Sequence, residues 1–179
     1  IMGHTGSGIN RERSHVHVEL NLLLNDHFEA WHQTFFKSEP NRHGIYNGLN
    51  LAGLDLPRLI LAARTNPALT LPAFLAREEV FYKVIIPNLP DFQLPRRYPW
   101  MIERAPNDTP VAWEISFTRS GLPLRLTPSS RAISAPEISY VKSVPGDLRN
   151  LTRHLAGRAS SPRLTDSGQA YLRLLAFPD

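Results

Sequence analysis

The 179-residue chain contains no cysteine. Disulfides, thiolate zinc sites and a cysteine nucleophile are therefore excluded, and any metal must be held by nitrogen and oxygen ligands. Long apolar runs are also missing. The longest candidates, such as Leu59 to Ala63 or Leu20 to Leu24 with its one Asn21, are sized for a core and fall far short of the roughly 20 residues that cross a bilayer. There is no Walker A pattern, no dinucleotide fingerprint and no Gly-x-Ser-x-Gly elbow. The sequence thus gives no ground for a phosphate-cradling loop, a Rossmann cofactor site or an α/β-hydrolase nucleophile. No repeat or low-complexity tract stands out, although sixteen prolines punctuate the periodic segments. The formal charge is +4, and the excess lies wholly in residues 91–179, where eleven of twelve cations are Arg. No dense basic block forms, so the charge favours an anionic partner only weakly.

What is present begins with the first twenty residues. A glycine-rich turn, Gly3-His4-Thr5-Gly6-Ser7-Gly8, runs toward Ser14-His15-Val16-His17-Val18-Glu19-Leu20. The alternation over 15–24 predicts a strand. His15 and His17 then share one face, while Val16, Val18, Leu20 and Leu22 are expected to point into a core. Same-face neighbours on a strand lie roughly 6.5–7 Å apart. One imidazole can bind an ion while the other reaches a water or carbonyl beside it. Glu19, on the same face, can orient a histidine. The chain opens on Ile1 in the middle of this pattern and reads as the C-terminal part of something longer.

Farther along, Asn25-Asp26 predicts a cap for a helix over 27–36, and Ser38 to Gly53 reads as loop. Asp55 and Thr70 predict caps for helices over 56–65 and 71–77, each with a proline in its first turn. Val80 to Ile86 is β-branched and aromatic and predicts a strand. Val111 to Thr118 and Leu122 to Thr127 flank Arg119-Ser120-Gly121 as a hairpin. A further strand over 138–142, a short helix over 147–155 and a capped final helix over 169–175 complete the reading. The expected class is α+β: the end of a mainly antiparallel β catalytic sheet, a helical segment, and a small β-rich C-terminal module. The expected divisions are 1–24 as the end of a β domain, 25–77 as helical insert or linker, and 78–179 as accessory module.

The opening resembles the end of the catalytic domain in lysostaphin-type (LytM-like) zinc metallopeptidases, which cut peptide cross-links in bacterial cell walls. The resemblance rests on Gly3-His4-Thr5-Gly6-Ser7-Gly8 followed by His15-Val16-His17-Val18-Glu19. It implies that His15 is catalytic, as base or transition-state stabiliser, and that His17 binds a single zinc ion. Glu19 is then the candidate partner behind a histidine. The implied activity is zinc-dependent endopeptidase chemistry on peptidoglycan. The implied location is the periplasm, the cell envelope or the outside of the cell. The family's other two zinc ligands come from an upstream His-x-x-x-Asp, and none of the seven histidines here has Asp four residues later. The expectation is that the missing ligands come from elsewhere in a longer protein. The alternative is a non-catalytic, peptidase-like module that binds cell wall or protein.

Other constellations carry less. His27 and His32 are five apart, about 140° around a helix, so they cannot share a metal as zincin histidines four apart do. The loop His43 to Gly48 can shape a groove, but a purely structural loop is the simpler reading. Arg149, Arg153, Arg158 and Arg163 can meet phosphates. Leu148 to Leu155 is short for a recognition helix, so nucleic acid is not the expected partner.

Overall fold

The β-branched run after Val80 builds the centre of the molecule. The computed structural model describes residues 12, 16–104, 108–143, 155–156 and 162–177. Within these, strand β3 (Tyr82–Pro87) lies inside a four-stranded antiparallel sheet ordered β5-β4-β3-β6, with β4 (Ala112–Phe117), β5 (Pro123–Ser129) and β6 (Glu137–Val141). Register pairs Tyr82 with Phe117, Val84 with Ile115 and Ile86 with Trp113. All six are buried, because alternation puts them on the one face that packs inward. The Tyr82 and Phe117 rings stack 4.8 Å apart. The opposite face carries Lys83 and Glu114, bridged at 3.0 Å.

The predicted hairpin is β4–β5, and its turn depends on Gly121, whose φ is +88°. Thr118 Oγ1 accepts from the Leu122 amide at 3.1 Å and closes the same turn.

The helices follow their caps. In α2 (Leu56–Thr65) the Asp55 side chain accepts from the Arg58 amide, and in α3 (Leu71–Leu75) Thr70 accepts from the Ala73 amide. Helix α1 spans Phe28–Phe35, and the four-residue α4 spans Leu94–Arg97. The final helix α5 (Asp166–Ala176) is capped by Thr165, which accepts from the Gly168 amide at 3.0 Å. Short strands β1 (Asn21–Leu23) and β2 (Leu51–Gly53) form a separate antiparallel pair. Strands β7 (Leu155–Ala156) and β8 (Arg163–Leu164) form another. With helices beside antiparallel sheets, the fold is α+β.

One hydrophobic cluster takes residues from all three segments into which the sequence divides. Leu22, Phe28, Phe74, Val84, Leu126 and Leu172 all belong to it. Trp31 ties the first helix to the last, its Nε1–H donating to the Ala170 carbonyl at 3.1 Å.

The predicted strand over 15–24 is corrected at its start. Regular pairing begins only at Asn21, and Val16 and Val18 are 70% and 73% exposed, not in the core. Register explains this. Asn21 pairs with Gly53, and the Leu54 amide donates to the Leu20 carbonyl at 2.9 Å as the last rung. Beyond that rung the partner chain turns into α2 at Asp55 with Pro57 in its first turn. Among the described residues no strand pairs with residues 16–19. The predicted helix over 147–155 lies outside the described residues except for Leu155, which is in β7.

Candidate functional site

The segment just before β1 carries the one predicted site that can be located. His17, Glu19 and Asn21 are spaced two apart, and their side chains meet. Glu19 Oε1 lies 3.3 Å from His17 Nδ1, and Asn21 Nδ2 donates to Glu19 Oε2 at 3.2 Å. The two contacts hold the Glu19 carboxyl below the ordinary carboxylate range, the Asn21 hydrogen bond first and the His17 contact second. An ionised Glu19 favours the His17 tautomer with its proton on Nδ1. That is the polarity of a carboxylate–histidine–metal triad, in which the imidazole would hold the ion through Nε2. His15, the predicted catalytic residue, and His4 lie outside the described residues.

A zinc site needs three protein ligands and a position for water. Among the described residues no group of three His, Asp or Glu side chains can hold an ion. His17 with Glu19 behind it fits one coordination position, and the described residues do not complete the set.

The histidine segment borders a cleft. Gly53 lies opposite Asn21, and a side chain added there would meet Asn21 Oδ1 at 3.2 Å. Gly53 also lines a cavity of about 470 Å³ between α1, β2, the β4–β5 turn and α5. Its walls include Trp31, Phe36, Leu122 and Tyr171, with the hydroxyl-bearing Ser120 and Ser167. The polar ends of the aromatic walls are engaged: Trp31 at Ala170, and Tyr171 Oη–H donating to the Gly121 carbonyl at 2.8 Å. The rest of the wall is mainly apolar with the two serine hydroxyls, and the cavity is of the size that takes a side chain or small ligand.

The other histidines fall as their spacing requires. His32 is buried and stacks on Phe36 at 5.1 Å, while His27 sits at the start of α1 on the exposed side. The loop His43 to Gly48 forms two 3₁₀ turns, Gly44–Tyr46 and Gly48–Asn50, and ends at the cleft wall through Leu49. Arg149, Arg153 and Arg158 lie outside the described residues, and Arg163 is exposed on β8.

Sequence reasoning missed the cleft. Its walls come from four elements far apart in the chain, and no local pattern announces them. The faint signal was aromatic: Trp31, Phe35 and Phe36 cluster at the end of one helix.

The chain matches no protein-family model, no curated protein and no solved structure. Among the described residues no helix is long and apolar enough to cross a membrane.

Proposed function

We propose that the chain carries part of a zinc-dependent endopeptidase site that hydrolyses peptide bonds in bacterial cell-wall peptidoglycan. His17 is the zinc ligand, Glu19 is the carboxylate that orients it, and His15 is the catalytic histidine. The observation that carries this reading is the 3.3 Å approach of Glu19 to His17 Nδ1. A ligating histidine needs such a partner to fix its tautomer, and a lone surface histidine does not. Zinc, when bound, supplies an activated water near neutral pH. Glu19 orients the His17 ring, and the reading gives His15 the catalytic role. The remaining ligands must come from outside the described residues. This reading places the protein where its substrate is, in the periplasm, the cell envelope or outside the cell.

A second reading is a non-catalytic peptidase-like module that binds cell wall or protein. It draws on the lack of a three-ligand group among the described residues and on the apolar cleft beside Gly53.

The deciding measurement is zinc content of the protein made from its complete reading frame, with His17→Ala and Glu19→Gln alongside. The enzyme reading expects one zinc per chain, lost in His17→Ala and weakened about 10–100-fold in Glu19→Gln. Hydrolysis of cross-link peptides should fall with it. Both side chains are exposed, 68% and 59%, so the variants should fold as the parent does. A protein that takes up no zinc sinks the enzyme reading and leaves the binding module.

A further inference from the structure

We propose a second ligand site, on the far side of α5 from the cleft, that binds a small amphipathic carboxylate. A cavity of about 850 Å³ opens between the end of β3, the segment leading into β6, strand β8 and α5. Helix α5 presents Gln169, Leu172, Arg173 and Ala176 to it. Their spacing of i, i+3, i+4 and i+7 is one continuous helical face. Apolar surface comes from Ile86, Leu89, Ile138 and Leu164.

Charge gives the site its specificity. Arg163 on β8 and Arg173 on α5 both line the cavity, and both are exposed at its rim. Among the described residues neither makes an ion pair. The carboxylate in the wall, Glu137, is already paired with Arg131. The cavity therefore combines an apolar interior with two uncompensated guanidiniums. Guanidinium binds a carboxylate through two parallel hydrogen bonds, and such charge-assisted pairs are the strong ones. An apolar body with a terminal carboxylate satisfies both halves. Among the described residues the cleft beside Gly53 has no charged side chain in its wall and lacks this preference.

The test is titration calorimetry with octanoate, 1-octanol and octylammonium on the whole chain. Variants are the double substitution Arg163→Gln with Arg173→Gln, and Ala135→Trp, which fills the cavity from an exposed wall position. The expected result is saturable octanoate binding at one per chain, at least tenfold tighter than either comparator. The double variant should lose tenfold or more with an unchanged melting temperature, and Ala135→Trp should abolish binding. Absence of saturable octanoate binding overturns the proposal. So does equal affinity for octanol, or wild-type affinity in either variant.

Discussion

Asn50 pairs with both main-chain groups of Asn25. Its Oδ1 accepts from the Asn25 amide at 3.0 Å, and its Nδ2 donates to the Asn25 carbonyl at 2.7 Å. A side-chain amide thus takes the place of a backbone strand at the point where β1 ends. Asn25 then passes the connection on, its Nδ2 donating to the carbonyls of Leu174 and Phe177, both at 2.7 Å. Both asparagines are fully buried. This chain of hydrogen bonds anchors the end of α5 to the segment that carries His17.

Replacing Asn50 with Ala should therefore destabilise the fold by about 3 kcal/mol, because several buried backbone groups lose their partners at once. Urea unfolding checks this through a lowered midpoint at unchanged slope. Asn50→Asp should be no better, since the carboxylate cannot donate to the Asn25 and Ile45 carbonyls that Nδ2 now serves. A midpoint within error of the parent would mean the pair is dispensable.

Tyr98 plays a similar part on the other side of β1. Its hydroxyl accepts from the Leu23 amide at 2.9 Å and donates to the Leu23 carbonyl at 3.1 Å. Burial raises its ionisation above the usual phenol value of 10.0. A raised folded value means the stabilisation is complete below pH 10 and is lost as pH climbs through the folded value. Ultraviolet titration should find a tyrosine component that ionises above the usual phenol value, and Tyr98→Phe should diminish it. The same substitution should cost about 1–2 kcal/mol at neutral pH.

Two glycines should respond in opposite ways to alanine. Gly121 has φ +88°, where a Cβ is strained, and it is buried. Gly121→Ala should lower stability by about 1–2 kcal/mol. Gly48 lies outside the positive-φ set and has nothing within 4 Å of a new Cβ. Gly48→Ala should be neutral or stabilising by a few tenths of a kcal/mol, through the unfolded chain. Paired thermal melts decide it, and equal shifts would refute the distinction.

Glu19 gives a direct readout of the proposed metal-ligand geometry. Its carboxyl is held low, so its contribution is present above the unfolded carboxylate value and lost as pH falls through the folded one. Carbon-detected NMR titration should place its midpoint below that of an ordinary glutamate. Asn21→Ala and His17→Ala should each move the midpoint up, because both side chains lower it. A midpoint unmoved by either substitution would mean that the corresponding contact is absent in solution.

Local chemistry was legible in the chain. Asp55 and Thr70 each cap the helix their spacing announces, and the prolines after them sit where a first turn tolerates them, while the final helix begins at Asp166, three residues before the expected start. The Val80 to Ile86 run forms a strand because its residues favour a pleated, buried surface. The hairpin formed around Gly121 for the same local reason. The side-by-side placement of His17 and Glu19 also followed from spacing alone.

Tertiary structure decided the rest. Alternation from Val16 onward expressed a preference for extended backbone, but a strand exists only where a partner offers hydrogen bonds. That partner, Leu51–Gly53, ends where Asp55 starts a helix. The valines therefore face solvent, although their pattern alone would bury them. The Asn25–Asn50 pair and the joining of Arg163 and Arg173 at one cavity likewise depend on contacts between distant residues. Sequence periodicity reports what a segment prefers beside its neighbours in the chain. Packing alone decides which distant backbone or side chain arrives to satisfy it.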